Sequence, residues 1–350
     1  MDFALSDEQN ALAAAERAWL AKNSPIASRR LTIDDGHARI RPEDLRHLVD
    51  SGLAGLLTED LGGTHVDLAV VVEEHGRAGS ALPIAELCVA AQYLARLEDP
   101  LCGGAADGTE PVLPVVASVD NPALAASLDG DTVRLHGTSA PVTGGSDVGH
   151  VLVIAQCSDS TEIAAVVSVA AVTVRPLESL DLTRSWSVVD VDLALDAGGW
   201  YTLPTGTADF VHDQLATLRA FDALGAASRL TEETVEYAKS RHQFGQPIAG
   251  FQAVKHHCAN MTLSVESARA VLWAAAVALD DKTSDRTAAV SAAAAYAGEG
   301  TSTIAQTALQ VHGGIGFTWD HDLHLLLRRI KVDELLDGTV SYHRRRLVRT

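Results

Sequence analysis

The chain has 350 residues with 46 acidic and 27 basic side chains, a formal net charge of −19. Such an acidic surface repels phosphate backbones and anionic headgroups, which argues against nucleic acid or a membrane surface as a partner. The apolar fraction of 47% and the charged fraction of 21% describe a globular protein long enough for two or three domains.

Two further absences narrow the class of protein. The four cysteines are scattered without the paired spacing of a zinc site or a disulfide framework, so we expect no metal centre. No uninterrupted apolar run in the sequence reaches the roughly 18 residues that cross a bilayer. No basic stretch leads into an apolar run at the N-terminus, and a cytoplasmic protein is expected.

Residues 1–110 are predicted to form a helical domain. Ser6 and Gln9 have the spacing of a helix capping box, and Pro42 opens a second helical segment. Residues Val66 to Ala78 continue the pattern with acidic side chains on the outer face.

Residues 111–200 are predicted to form a small β domain, because short β-branched runs alternate with Gly, Asp, Asn and Pro. Few residues separate these runs, too few for crossover helices, so the pairing is expected to be antiparallel. The predicted strands are Val112–Ala117, Thr132–Leu135, Val151–Ala155, Ala164–Val169 and Ser187–Val191.

Residues 201–350 are predicted to be helical, which makes the fold class α+β. The segments are long enough for a C-terminal four-helix bundle. They are Phe210–Arg241, Phe251–Asp281, Thr287–Gln310 and roughly His321–Leu336.

Three motifs follow one another in this C-terminal part. They read R-H-Q-F-G-Q-P-I-A-G-F-Q from Arg241 to Gln252, Q-V-H-G-G-I-G-F from Gln310 to Phe317, and D-G-T from Asp337 to Thr339. The glycine pair alone is typical of an ordinary helix-ending turn, although it also opens the backbone to a flat or charged ligand. In this order, the motifs resemble those of the acyl-CoA dehydrogenase family, flavoenzymes that oxidise the α,β bond of acyl-CoA thioesters.

The resemblance implies that a carboxylate removes the substrate α-proton while FAD accepts the β-hydrogen as hydride. The family places a Glu beside G-T for this task, and this chain has Asp337 there. Asp reaches about 1.5 Å less far, and a displacement of about 1 Å can cost on the order of 100-fold in rate. Asp337 could equally be a polar residue that ends a helix. Some members carry the base on an earlier helix, near Leu215 in this chain, and leucine cannot accept a proton.

The resemblance also implies an FAD site that is shared between subunits. Of the ring-side motifs, residues 117–122 replace the family's T-E-P-x-x-G-S-D loop, and only Thr143 remains of its W-I-T. From the residues alone, Arg241 could instead close a helix, and Phe244 could lie in the core. The candidate cofactor-binding residues are Arg241, Phe244, Gln252, Gln310, Gly313, Gly314, Thr339 and Thr143.

A chain that keeps the diphosphate side and lacks the ring side resembles the degenerate subunit of heterotetrameric actinobacterial acyl-CoA dehydrogenases that oxidise steroid side-chain thioesters. This resemblance implies FAD, an acyl-CoA substrate, a homologous partner subunit, and an electron-transfer flavoprotein or similar acceptor. Two alternatives stay open at this point: a self-sufficient homotetramer with Asp337 as base, and a purely structural subunit.

Overall fold

The computed structural model describes residues 5–34, 38–120 and 122–349. Helices occupy the first part of the chain, and the predicted capping box is confirmed, with Ser6 and Gln9 bonding to each other's backbone N–H. The helices are α1 Asp7–Asn23, α2 Ile26–Asp34, α3 Pro42–Ser51, α4 His65–Ala78, α5 Ile84–Arg96 and α6 Cys102–Asp107.

Strands follow between Val112 and Leu203 and form two sheets. One sheet has the order β1-β5-β6-β9, and the other has the order β2-β3-β8-β4 with β7 also paired to β8. The strands are β1 Val112–Val115, β2 Ala125–Asp129, β3 Thr132–Thr138, β4 Val142–Thr143, β5 His150–Gln156, β6 Glu162–Ser168, β7 Thr173–Leu177, β8 Trp186–Leu195 and β9 Tyr201–Leu203.

The strand pairing differs from the expectation in one place. All ladders of the two sheets are antiparallel except β1–β5, where Val112 to Val115 run parallel to His150 to Val153. The long connection from β1 through the other sheet allows this, because it is long enough to bring the chain back in the same direction.

Helices form the rest of the chain. Four of them match the predicted bundle helices with shifts of a few residues at their ends, and the last one lies in the region predicted as helical but was not predicted as a separate segment. They are α7 Thr207–Ser240, α8 Gln252–Asp280, α9 Arg286–His312, α10 Leu323–Leu336 and α11 Val340–Arg349, with the two-strand hairpin β10 His242–Gln243 and β11 Gln246–Pro247 between α7 and α8.

Helices α4 and α7 touch at their backbones, which links the N-terminal helices to the C-terminal ones. A Cβ on Gly76 would lie 2.0 Å from the carbonyl oxygen of Asp222, and a Cβ on Gly225 would lie 1.9 Å from that of Glu73. Only glycine fits both positions. This crossing holds the middle of α7 close to α4.

Helix α8 is the one described helix whose length and apolar content would also suit a membrane span. In the structure, 44% of its most apolar window is buried against the rest of the chain. The core helix of a soluble bundle meets the same criteria, so this feature does not indicate a membrane.

Candidate active site

Asp337 ends α10, and its carboxylate is already ion-paired. Nη1 of Arg219 on α7 lies 2.6 Å from each of its two oxygens. The Asp337 side chain is 12% exposed and that of Arg219 is 7% exposed. The carboxylate therefore contacts a buried cation and not an open cleft.

The other edge of the same guanidinium binds a second carboxylate. Nε and Nη2 of Arg219 lie 3.3 and 3.2 Å from Oε1 of Glu86 on α5, and the Thr143 hydroxyl donates to that oxygen over 3.3 Å. Burial opposes the charge of Arg219, but Asp337 and then Glu86 outweigh it and raise the pKa of the guanidinium. We call Thr143, Glu86, Arg219 and Asp337 the buried relay.

The buried relay leaves almost no free volume around itself. The cavity beside Glu86, Thr143 and Arg219 measures about 10 Å³, and the one beside Asp337 measures about 20 Å³. Such volumes hold about one water molecule each. An acyl chain or a three-ring flavin cannot enter this space unless the relay separates.

A second set of ion pairs adjoins the relay, because the smaller cavity is also lined by Arg184, Asp222 and Arg329. Arg184, which precedes β8, lies 2.6 Å from Asp333 of α10, and both oxygens of Asp222 lie 2.6 Å from the Arg329 guanidinium. Burial acts against the charge of both carboxylates. At Asp222 the two arginines overcome it and lower the pKa, whereas the pKa of Asp333 is raised well above its usual value. Folding thus favours the ionised form of Asp222 and the protonated form of Asp333.

Far more open is the end of α7. The hairpin β10–β11 turns at Phe244 and Gly245, which have φ angles of 52° and 82°. A left-handed backbone costs a non-glycine residue about 1–2 kcal/mol, and the Phe244 side chain is 92% exposed. The alternative that Phe244 lies in the core is therefore wrong. Strain in an exposed aromatic residue points to a binding role.

Arg241 and the glycine pair flank this hairpin. The backbone N–H of Arg241 donates to the Tyr237 carbonyl over 2.8 Å and so ends α7. The guanidinium of Arg241 is exposed and has no partner among the residues that the structure describes. Helix α9 ends at His312, and an added Cβ at Gly313 or Gly314 would meet nothing within 4 Å. The Tyr237 ring stacks on the His312 ring at 4.4 Å, which brings both segments together.

The structure thus separates the predicted cofactor residues into groups. We call Arg241, Phe244, Gln310, Gly313 and Gly314 the exposed edge. Gln252 is exposed at the start of α8 and follows Phe251, whose ring meets that of Phe244 at 6.1 Å. Thr339 accepts the Tyr342 N–H over 3.1 Å and so caps α11, while Thr143 is 1% exposed within the relay.

Sequence reasoning missed Glu86, Arg219 and Tyr237. A signal existed for Arg219, because a charged residue inside the long buried stretch of α7 requires a counterion. No sequence pattern could show which carboxylates provide it, since they come from α5 and from the turn before α11. Of the altered ring-side loop, residue 121 lies outside the described part of the chain.

Known proteins resemble this chain in sequence. The family model described as acyl-CoA dehydrogenase, C-terminal domain, matches residues 213–350. Acyl-CoA dehydrogenase IpdE2 of Mycobacterium tuberculosis is 32% identical over 280 residues, which cover 80% of this chain and 80% of that protein. Acyl-CoA dehydrogenase FadE34 of the same organism is 32% identical over 97% of this chain, which spans only 48% of that relative's length.

Solved structures share the whole fold. The ChsE4-ChsE5 complex of M. tuberculosis matches with a TM-score of 0.90 and 26% identity, over 100% of this chain and 98% of that one. A variant of the Tcur3481-Tcur3483 steroid ACAD matches with a TM-score of 0.87 and 26% identity, over 98% and 97% of the two chains. With the helical, β and helical layers in this order, the chain belongs to the acyl-CoA dehydrogenase family. The family consists of oxidoreductases that act on acyl-CoA, and its cofactor is FAD.

The two regions of this chain differ in how well their residues suit FAD. The exposed edge has a guanidinium without a partner among the described residues, an exposed aromatic face and an open glycine backbone, and this chemistry suits a diphosphate and a flat ring system. The buried relay does not fit the isoalloxazine ring, because Thr143 is covered and bonded to Glu86.

Proposed function

We propose that this chain is a subunit of an FAD-dependent acyl-CoA dehydrogenase that contributes its exposed edge to a homologous partner's flavin site. The partner provides the ring side of the flavin site and the catalytic base. The observation that carries the proposal is the buried relay, in which the only carboxylate at the family's base position is paired at 2.6 Å with Arg219.

In the proposed reaction, the acyl-CoA loses its α-proton to the partner's carboxylate and its β-hydrogen as a hydride, and an α,β-unsaturated thioester results. When bound, FAD supplies the acceptor for that hydride, and an electron-transfer flavoprotein or similar acceptor takes up the two electrons. Arg241 of this chain holds the diphosphate by charge-assisted hydrogen bonds, while Gly313 and Gly314 let it approach the backbone. A cytoplasmic location is part of the same proposal.

A steroid side-chain thioester is the substrate class that we propose. The support is the likeness to the Tcur3481-Tcur3483 steroid ACAD. Two-chain complexes are likewise described for that protein and for ChsE4-ChsE5, which supports a homologous partner subunit. FadE34 is about twice as long as the segment it shares with this chain, so a second unit of similar size would fit within that one protein.

Both alternatives account for fewer observations. A homotetramer with Asp337 as base would have to break a buried ion pair before each turnover. A purely structural subunit would have no need of a strained, exposed Phe244 beside an unpaired Arg241.

The first experiment measures the visible flavin absorption of the chain purified alone and again after co-expression with a homologous chain from the same organism. We expect little flavin in the chain alone and a stoichiometric amount in the complex. Near one flavin per chain in the isolated protein would instead establish the self-sufficient homotetramer.

The second experiment replaces Arg241 with Ala in the complex. Loss of a charge-assisted bond of about 1.5–3 kcal/mol should weaken flavin binding by roughly 10- to 150-fold, with the fold unchanged. Flavin release on dilution, followed by its fluorescence, reports the change. Arg134→Ala, on the exposed surface of β3, is the matched control and should leave flavin affinity unchanged. Unaltered affinity in Arg241→Ala would exclude a cofactor role for the exposed edge.

A further inference from the structure

Two aromatic side chains join the two halves of the exposed edge. The rings of Tyr237 and His312 stack with centroids 4.4 Å apart and planes 19° apart. The Tyr237 hydroxyl lies 3.4 Å from the His312 carbonyl oxygen. Tyr237 belongs to the last turns of α7 and His312 ends α9, so this contact is where the two helices meet next to the edge.

Tyr237 and His312 are each also connected through the backbone to one half of the exposed edge. The Tyr237 carbonyl accepts the Arg241 N–H over 2.8 Å, and the Arg241 carbonyl accepts the Ile248 N–H over 2.8 Å, which starts the hairpin. His312 directly precedes Gly313, whose backbone has φ 62° and ψ −140°. A shift of either ring would therefore move Arg241 relative to the glycine backbone.

The His312 ring is held in one orientation. Nδ1 lies 2.8 Å from the Ala308 carbonyl oxygen and must donate to it, which leaves the lone pair on Nε2. The ring of His321 meets it edge-on at 5.0 Å. His312 is 4% exposed, and burial lowers its pKa, so the ring is neutral at neutral pH. The stack thus holds the Tyr237 ring against a neutral imidazole in a fixed orientation.

We infer that Tyr237 and His312 are positioning residues, whose stacked rings set the distance between Arg241 and the Gly313–Gly314 backbone so that one diphosphate meets both. The inference rests on the proposed function of the exposed edge. A preorganised site binds more tightly than the same groups held loosely, because less conformational freedom is lost on binding.

The test compares two substitutions in the complex of this chain with its partner. Tyr237→Phe keeps the stacked ring and loses only the long hydroxyl contact, so flavin affinity should stay within about threefold of the parent. Tyr237→Leu removes the stack and should weaken flavin binding by about tenfold or more. Rescue by the conservative variant is the readout that a general loss of stability would not give, and circular dichroism checks the fold of both.

A double-mutant cycle tests whether Tyr237 affects flavin binding through Arg241. If Tyr237 acts by placing Arg241, then Tyr237→Leu should weaken flavin binding much less in a protein that already carries Arg241→Ala. Additive losses would overturn the inference, as would unchanged affinity in Tyr237→Leu. If Tyr237→Leu is insoluble, His312→Gln replaces it with the same expected loss.

The outcomes also separate this inference from the proposed function. If Arg241→Ala weakens flavin binding and Tyr237→Leu does not, only the positioning role is wrong. If neither substitution changes flavin binding, the proposed cofactor role of the edge fails, and the positioning role fails with it.

Discussion

Asp222 and Asp333 are neighbouring aspartates whose pKa values shift in opposite directions on folding. The Arg329 guanidinium donates two hydrogen bonds of 2.6 Å to Asp222. Asp333 accepts one of 2.6 Å from Arg184, and its Oδ2 has no hydrogen-bond partner in the part of the chain that the structure describes. Burial opposes the charge of both, and the second negative charge beside Asp222 is the less stabilised one. Folding therefore favours the protonated form of Asp333.

This assignment predicts different outcomes for two isosteric substitutions. Asp333→Asn should cost little at pH 8, because an amide is neutral like the protonated acid and can still accept from Arg184. Asp222→Asn should cost about 3–5 kcal/mol, because it removes the counterion of Arg329. Urea unfolding of both variants at pH 8 measures the difference, and equal losses would contradict the assignment.

The pH dependence of the free energy of unfolding gives a second test of the raised pKa of Asp333. Because the pKa of Asp333 is raised on folding, the folded chain holds a proton that the unfolded chain releases above its usual pKa near 3.8. The contribution of Asp333 to stability is complete below that pH and declines as the pH rises towards the folded pKa. Asp333→Asn lacks this titration, so it should gain stability relative to the parent between pH 5 and pH 8, by at most about 1.4 kcal/mol per pH unit.

At the scale of elements, the close crossing of α4 and α7 depends on two glycines. Gly225→Ala places a Cβ 1.9 Å from the Glu73 carbonyl oxygen, so the helices must separate. We expect a loss of at least about 3 kcal/mol, measured by urea unfolding. Gly300→Ala in α9 is the matched control, since its Cβ meets nothing within 4 Å. It should be neutral or stabilise the chain by up to about 1 kcal/mol, and a similar loss at both sites would argue against the crossing.

Elements were predicted best where their pattern is local. The Ala-rich α9 and the long apolar stripes of α7 and α8 are visible as helices in the sequence, since one face of each repeats at the helical period. Strands β2 and β7 were missed, because their burial is low and they pair at the outer part of a sheet. The parallel β1–β5 pairing was also missed, since a strand's pattern does not encode the direction of its neighbour.

At the scale of the whole molecule, Asp337 tests which subunit performs the chemistry. If the partner supplies the base, Asp337→Asn should leave the rate of flavin reduction by an acyl-CoA in the complex nearly unchanged, as should Asp337→Glu. Asp337→Asn should nevertheless lower the free energy of unfolding by about 1–3 kcal/mol, because Arg219 loses a charged partner. Stopped-flow bleaching of the flavin gives the rate. A large drop in Asp337→Asn, with full activity in Asp337→Glu, would falsify the division of roles.

The sequence by itself indicated the family and the order of helical and β regions, and it placed the residues that we propose as the exposed edge within short motifs. Those features depend on short-range patterns: the motif from Arg241 to Gln252 is a helix end, a hairpin and a helix start within twelve neighbouring positions. A glycine pair that ends a helix is likewise a local signal. Such local patterns can be recognised without knowing which distant residues pack against them.

Only the tertiary structure shows whether the carboxylate of Asp337 is free or ion-paired. Asp337 reads as a candidate base in the sequence, and its ion pair with Arg219 joins residues 118 positions apart. Glu86 reaches the same guanidinium across 133 positions. Whether a carboxylate is free or paired depends on which charges folding brings within a few ångströms, because the interaction is strong only at short range and away from water.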